Sequence, residues 1–241
     1  MTLANRAGQR LLDNVSLTIP AGRAVAILAS DAQTPLAVAG LFVRFYDPAA
    51  GRILYDDRDI GRATLESVRQ QAMLVTADGP LFPAALSENI VCGKPGYTAS
   101  QIGEAVKQAQ ADEFVLTLSD GLSTIVGGKD SPLQVDQAFR IGLARALLRD
   151  PSVIIVQEPD GRLEEASVRR LDLALRQAAA GRTLVVLPAR LNTLRAVDCI
   201  YLFHEGKLHA QGTHAELLQS SELYRHLNYV RFNPFRNTVS G

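Results

Sequence analysis

Residues 24–37 read Ala24-Val-Ala-Ile-Leu-Ala-Ser-Asp-Ala-Gln-Thr-Pro-Leu-Ala37. The first five residues form a short apolar run, which is typical of a strand buried on both faces. Thr34 and Pro35 predict the start of a helix, with Thr34 at the N-cap and Pro35 in the first turn. Apolar residues between Leu36 and Phe45 then follow a helical period. This stretch therefore predicts a strand, a short loop and a helix, the unit from which α/β folds are built.

Further strands and helices alternate along the chain. Continuous or alternating apolar runs bounded by turn residues predict strands, and 3.6-residue periods predict helices. Thr213 with Glu216 forms a capping-box pattern at another helix start. Together these elements predict a mostly parallel sheet. The predicted strands are 11–19, 24–28, 52–55, 153–156, 183–187 and 199–203, and the predicted helices are 36–45, 100–109 with Ser100 as N-cap, 135–149 and 164–179.

The composition excludes several classes of protein. Hydrophobic residues make up 47% of the 241 residues and charged residues 21%, which is too apolar for a disordered chain. The 25 Lys and Arg residues balance the 25 Asp and Glu residues, so a nucleic-acid partner is not expected. The longest wholly apolar run, 37–43, is far shorter than the roughly 20 residues that span a bilayer. The N-terminus lacks the apolar core of a signal peptide, so a cytosolic chain is expected.

The cysteines and histidines give no sign of a metal site. Cys92 and Cys199 lie far apart in apolar surroundings and are predicted to be reduced core thiols. No metal is predicted, because the histidines do not show ligand spacing on one element. Surface or turn positions are expected for these four residues: His204, His209, His214 and His226.

Five groups of residues stand out along nearly the whole chain. They are Leu12–Gly22, Arg44–Pro48 with Gly51–Ile53, Leu81–Phe82 with Glu88–Ile90, Ala144–Leu147 with Asp150–Pro151, and Gln211–His214 with Glu216–Leu218. Together and in this order they resemble the nucleotide-binding domain of exporter-type ABC transporters. The resemblance implies a P-loop-NTPase-like α/β fold: a mostly parallel sheet with helices on both faces, an N-terminal antiparallel β subdomain and an inserted helical subdomain. It also implies a single domain over 1–241, with a core at about 1–78 and 150–241 and the helical subdomain at about 79–149.

The phosphate loop of that family has the form G-x-x-G-x-G-K-[ST]-[ST]. Its backbone amides cradle the phosphates, its Lys reaches the β- and γ-phosphates, and its hydroxyl holds Mg²⁺. The corresponding segment here departs from this pattern at each glycine, lysine and hydroxyl position. Its glycine positions hold Ala29, Ala32 and Thr34, its lysine position holds Pro35, and its hydroxyl positions hold Leu36 and Ala37. The candidate phosphate-loop residues are Ser30, Asp31, Ala32, Gln33, Thr34, Pro35, Leu36 and Ala37.

Asp31 lies near the positive end of the predicted helix, where a triphosphate would otherwise place its charge. A carboxylate there would repel a nucleotide. Two interpretations stay open for this loop: a plain capped helix, and an altered anion site.

Other nucleotide-contacting positions depart from the family as well. Ala77 stands at the Q-loop glutamine, Gln157 at the Walker B aspartate, Ala189 at the switch histidine, Asn5 at the adenine-stacking aromatic, Gly128 at the glutamate before the signature, and Leu133-Gln-Val-Asp-Gln137 at the LSGGQ signature. Asp136 in that signature is expected to add negative charge.

One catalytic position of the family is retained. Glu158 stands where the resemblance places the general base that polarises the attacking water. Without Mg²⁺ or a bound phosphate this carboxylate has nothing to act on. The alternative for Glu158 is a hydrogen-bonded polar residue at the end of a strand.

Three functions follow as hypotheses. The first is a degenerate ATP-binding cassette without a cofactor, a pseudoenzyme at the cytoplasmic face of a membrane. It would be a structural or regulatory partner of a membrane domain, fused or separate, and of a second nucleotide-binding domain, identical or different. The second is a working ATPase that binds Mg-ATP through Ser30, Gln33 or Thr34. The third, a free-standing interaction module, is disfavoured by the exporter-like segments.

Overall fold

The apolar run at 24–28 forms a strand within a mostly parallel sheet, as its residues predict. The computed structural model describes residues 1–5, 7–128, 131–161 and 163–232. A six-stranded sheet has the order β12-β11-β3-β10-β9-β6, and three two-stranded sheets pair β1 with β2, β4 with β5 and β7 with β8. The strands are β1 (Leu3–Ala4), β2 (Arg10–Leu12), β3 (Ala24–Ala29), β4 (Leu54–Tyr55), β5 (Arg58–Asp59), β6 (Ala72–Val75), β7 (Ala84–Ala85), β8 (Ile125–Val126), β9 (Val153–Gln157), β10 (Thr183–Leu187), β11 (Cys199–His204) and β12 (Lys207–Gly212).

Helices connect and flank these strands. Short 3₁₀ turns cover Ile60–Arg62 and Gly121–Ser123. In the part of the chain that the structure describes, no helix is both long and apolar enough to cross a membrane. The α-helices are α1 (Gln33–Phe42), α2 (Leu65–Gln71), α3 (Leu86–Val91), α4 (Ala99–Gln108), α5 (Asp112–Thr117), α6 (Val135–Arg149), α7 (Glu165–Ala179), α8 (Leu191–Ala196), α9 (His214–Ser220) and α10 (Glu222–Phe232).

The chain divides into two compact units, of which the first comprises Met1–Arg69 and Val185–Gly241. Here β3 pairs in parallel with β11, so that Ala29 lies opposite Phe203, and β11 pairs antiparallel with β12. The helices α8, α9 and α10 supply one side of a buried apolar cluster on these strands. Its members are Ala26, Leu28, Leu194, Val197, Ile200, Leu202, Leu217, Tyr224 and Leu227.

A polar contact lies within this cluster. The Nδ1 atom of His214 is 2.7 Å from the hydroxyl of Tyr224, which is fully buried. Burial raises the pKa of that hydroxyl to about 12, and burial also lowers the pKa of the His214 imidazole. Both groups are therefore neutral at physiological pH, which suits a buried hydrogen bond.

The second unit, Gln70–Leu184, is built around α6. This helix packs on α3, α4, α7 and β6, and β6 pairs in parallel with β9. Gly79 has a φ of 49°, and a side chain there would clash with the backbone of Ala138 in α6. A glycine is required at this close approach.

The structure confirms the α/β fold with its mostly parallel sheet. The predicted bounds of α6 and β10 agree with the structure, and the capping box of Thr213 is present. Cys92 and Cys199 are free thiols, but each is half-buried rather than part of the core. The division into a core and a helical subdomain at 79–149 stays a prediction.

Four predicted element bounds were wrong. The helix predicted at 36–45 covers Gln33–Phe42, and the chain turns away at Arg44, which has a φ of 49°. The strand predicted at 11–19 stops at Leu12, because Asn14 turns the chain with a φ of 51°. The helix predicted to begin after Ser100 begins at Ala99, because Thr98 and Gln101 form a capping box. Only Leu54–Tyr55 of the strand predicted at 52–55 belongs to a sheet.

Candidate functional site

The candidate phosphate loop connects β3 to α1 in the first unit. Because β3 ends at Ala29 and α1 begins at Gln33, the loop proper is Ser30–Ala32. The strand and the helix on either side of the loop were predicted, but Thr34 is not the N-cap of α1. The helix begins one residue before Thr34, and a different side chain caps it.

Asp31 caps α1 with both of its carboxylate oxygens. Its Oδ1 accepts hydrogen bonds from the backbone amides of Gln33, at 2.8 Å, and Thr34, at 2.7 Å. Its Oδ2 accepts a third hydrogen bond from the Thr34 hydroxyl, at 2.9 Å. The first amides of a helix have no partner inside the helix and carry its positive partial charge. An acidic side chain of this chain therefore binds the amides that a phosphate would need.

The side chains at the lysine and hydroxyl positions offer no replacement chemistry. Pro35 and Ala37 are buried, and Leu36 presents an apolar side chain that is 47% exposed. Thr34 is 2% exposed, and its hydroxyl also lies 3.3 Å from the carbonyl oxygen of Leu11. This stretch holds neither a cation for phosphate nor a free hydroxyl for Mg²⁺.

The start of the loop is held by two other elements of the first unit. The Ser30 amide donates to the carbonyl of Phe203, and the Ser30 hydroxyl lies 3.0 Å from Nδ1 of His204. Arg231 of α10 donates from Nη1 to the carbonyl of Ala29, at 3.1 Å. The loop is thus fixed by hydrogen bonds from within the chain at both of its ends.

The signature segment lies at the start of α6, in the second unit. Gln134 precedes the helix, and its backbone amide donates a hydrogen bond to the side-chain Oε1 of Gln137, at 2.9 Å. Asp136 is 4% exposed and pairs with Arg140, 2.8 Å away and 3% exposed. Arg140 also donates to the carbonyl of Gln110. The expectation that Asp136 adds a negative charge was wrong, because Arg140 neutralises it within the helix.

Glu158 directly follows β9 and is 3% exposed. Gln157, the last residue of the strand, is half-buried. A carboxylate at the carboxyl end of a parallel strand is suitably placed for polar chemistry in an α/β fold. Its burial also fits the alternative of a hydrogen-bonded residue at the strand end, so its catalytic role stays a prediction.

Three further candidate positions hold Ala77, Ala189 and Asn5. Ala77 and Ala189 are half-buried and have no polar side-chain atom. Asn5 stabilises a turn instead of stacking on a base: its Oδ1 accepts hydrogen bonds from the amides of Ala7 and Gln9, each at 3.0 Å.

Residues 12–161 match the model of a protein family described as "ABC transporter". The chain belongs to this family. An Arabidopsis thaliana protein, "ABC transporter B family member 1", is 34% identical over 218 residues, covering 90% of this chain and 17% of that protein. A Homo sapiens protein, "Mitochondrial potassium channel ATP-binding subunit", is 35% identical over 223 residues, covering 92% of this chain and 30% of that protein.

The fold is also similar to a solved ABC transporter. A structure described as a bacterial Atm1-family ABC exporter with ATP bound superposes with a TM-score of 0.86, at 29% identity, over 94% of this chain and 40% of that chain. This chain is therefore a nucleotide-binding domain of the ABC exporter type. It spans well under half the length of each of these three relatives.

Sequence reasoning missed two residues that hold the loop of this ABC domain, His204 and Arg231. A signal for His204 was present, because it follows Phe203 as Ser30 follows Ala29. Residues that follow neighbouring parallel strands meet at the same edge of a sheet. No comparable pattern pointed to Arg231, which reaches the loop from a helix 202 positions along the chain.

Proposed function

We propose that this ABC exporter domain is a degenerate ATP-binding cassette that does not bind or hydrolyse Mg-ATP. It acts as a structural or regulatory partner of a membrane domain and of a second nucleotide-binding domain, at the cytoplasmic face of a membrane. The observation that carries the proposal is the carboxylate of Asp31, which accepts the two amides at the start of α1 and the Thr34 hydroxyl.

The magnitudes support a loss of binding. A hydrogen bond to a charged group contributes about 1.5–3 kcal/mol, whereas micromolar affinity corresponds to only about −8 kcal/mol in total. The lysine, the Mg²⁺ hydroxyl and at least two cradle amides are lost together here. A γ-phosphate would also meet the Asp31 carboxylate at close range.

The alternative is an ATPase with altered contacts, and the retained Glu158 favours it. That alternative needs Ser30, Gln33 or Thr34 to bind phosphate. The Ser30 and Thr34 hydroxyls are already engaged by His204 and Asp31, and the backbone amide of Gln33 is engaged by Asp31. The exposed side chain of Gln33 is uncharged and cannot supply the positive charge of a lysine. A nucleotide would have to break these contacts before it gained its own.

The test is calorimetric titration of the purified chain with Mg-ATP. An intact exporter domain is run under the same conditions. A loop variant serves as the internal positive control, with glycine at positions 29, 31, 32 and 34, lysine at 35 and serine at 36 and 37. The expected result is no saturable heat up to millimolar nucleotide for the natural chain. Saturable micromolar binding by the natural chain would contradict the proposal and favour the altered ATPase.

A further inference from the structure

Two histidines that lie five positions apart in sequence meet on the β11–β12 hairpin. The ring centroids of His204 and His209 are 6.1 Å apart, with the rings nearly perpendicular at 82°. His204 is half-buried at the end of β11, and His209 is exposed on β12. Both belong to the first unit, and His204 contacts Ser30 of the degenerate loop.

An irregularity in the strand pairing brings the two rings together. Leu202 lies opposite Ala210 and Phe203 lies opposite Leu208, so that His209 is the extra residue on β12. An extra residue of this kind makes a β-bulge, and bulges re-aim side chains relative to the regular alternation. As the bulge residue, His209 does not follow the regular alternation of β12, and its ring lies beside that of His204.

We propose that His204 and His209 form a two-imidazole site for a divalent transition-metal ion such as Zn²⁺ or Ni²⁺. Imidazole nitrogens suit both metals. With Zn–N bonds of about 2.0–2.1 Å and a tetrahedral angle, the centroids of two coordinating imidazoles lie about 5 Å apart. The rings therefore need to approach by about 1 Å, which a rotation of the exposed His209 side chain provides.

Ser30 positions one of the two ligands. Its hydroxyl lies 3.0 Å from Nδ1 of His204 and is able to accept as well as donate. When Nδ1–H donates to the hydroxyl, the lone pair of the imidazole is on Nε2, which is then the metal-binding atom. Such a partner on the second ring nitrogen is characteristic of metal-ligating histidines.

The site is an open one. Among the residues that the structure describes, no three His, Cys, Asp or Glu side chains come together as a metal site. Water or an added small ligand therefore completes the coordination. Lys207, which lies opposite His204 on the hairpin, places its ammonium 3.9 Å from a carboxylate oxygen of Asp13. That carboxylate offsets part of the repulsion between the ammonium and a bound cation.

The experiment is calorimetric titration of the full chain, freed of metal, with ZnCl₂ in a non-chelating buffer. We expect one saturable site per chain. His204→Gln and His209→Gln should each remove it or weaken it by at least tenfold. The matched control is His226→Gln, which changes an exposed histidine on α10 and should leave the affinity unchanged. Far-UV circular dichroism of each variant establishes that the fold is kept.

A further variant tests whether Ser30 positions the His204 ring, without changing either metal ligand. Ser30→Ala keeps both imidazoles but removes the partner of Nδ1, and loss of such a partner costs about 10–100-fold in metal affinity. The proposal is overturned if the chain shows no saturable binding, or if either histidine variant binds as tightly as the natural chain. Unchanged affinity in Ser30→Ala would refute the role of Ser30. The outcome is independent of whether the loop binds nucleotide.

Discussion

A single aspartate determines the chemistry of the loop. Asp31 is exposed, yet both of its oxygens are engaged by the start of α1. The same helix end in an ATP-binding domain gains its partner only when nucleotide arrives. In this chain the acceptor is the side chain of Asp31, so the backbone amides of Gln33 and Thr34 are hydrogen-bonded without a ligand.

Replacement of Asp31 should therefore lower stability. For Asp31→Ala we expect a loss of about 0.5–2 kcal/mol in the free energy of unfolding, because two amides and a hydroxyl lose their acceptor. Urea denaturation measures it. The control is Gln33→Ala, which changes an exposed neighbouring side chain but leaves the two amides and the carboxylate in place. Equal losses in the two variants would argue against the cap.

Restoring the lysine and the hydroxyl should not restore catalysis. We expect no phosphate release from the double variant Pro35→Lys, Leu36→Ser, because Asp31 still holds the helix amides and Ala77, Gln157 and Ala189 remain. The assay is steady-state phosphate release with Mg-ATP. The background is the same double variant carrying Glu158→Gln, and turnover above that background would refute the prediction.

At the scale of the element, α6 carries a buried ion pair between Asp136 and Arg140 near its start. Its bounds were predictable from its helical period, and the Asp136–Arg140 spacing of four residues suggests an ion pair. Its burial was not predictable, because it depends on the chain around Gln110, to which Arg140 donates. Burial lowers the pKa of Arg140, and the charge of Asp136 partly offsets this effect.

Glycine should therefore lower the stability of the fold strongly at position 136 and only slightly at position 135. Asp136→Gly leaves a buried guanidinium without its counter-ion, and we expect a loss of about 3–5 kcal/mol in unfolding free energy. Val135→Gly is the matched control, because Val135 is 59% exposed at the first position of the helix. Its cost should be about 1 kcal/mol or less. Chemical denaturation of both variants compares them directly.

The capping box of α9 predicts a dependence on pH. Hydrogen bonds from the Thr213 amide, first, and the Thr213 hydroxyl lower the pKa of Glu216. A lowered pKa in the folded state means that the contribution is present at neutral pH and is lost as the pH falls through that pKa. The stability difference between the natural chain and Glu216→Gln should shrink on acidification, as measured by urea denaturation between pH 7 and pH 3.

The control for this titration is Ser220→Ala. Its hydroxyl donates to the backbone carbonyl of Glu216 and not to the carboxylate. Its stability difference from the natural chain should therefore be the same at each pH. A Glu216→Gln difference that is equally constant would contradict the assignment.

Local sequence predicted most elements but not their exact ends. The buried strands β3, β9 and β10 were predictable because continuous apolar runs suit the centre of a parallel sheet. The end of β2 depends on the left-handed conformation of Asn14, and residue types alone do not decide between Asn14 and the adjacent Asp13 for that conformation. In the candidate site, Asp31 was placed correctly near the helix start. Its role as the cap depends on side-chain geometry that residue types alone do not determine.

At the scale of the whole molecule, nucleotide should leave the stability unchanged. A ligand at a hundred times its dissociation constant stabilises the folded state by about 2.7 kcal/mol, which for a chain of this size raises the Tm by roughly 5–11 °C. We expect no shift with 5 mM Mg-ATP relative to 5 mM MgCl₂ alone. Differential scanning calorimetry of the full chain measures it, and a rise of several degrees would contradict the loss of binding.

The capped loop also bears on how this domain can evolve. Replacing Asp31 removes the hydrogen bonds that hold the start of α1 before any nucleotide can compensate for them. Asp31→Gly frees the backbone amides at the start of α1 but does not supply a lysine. Pro35→Lys supplies the lysine, but Asp31 still occupies the amides that a phosphate would bind. Selection acting one substitution at a time therefore meets a loss at position 31 and no gain at position 35. If the domain acts as proposed, without nucleotide, we expect its descendants to vary in their contacts with partners rather than to gain a phosphate loop.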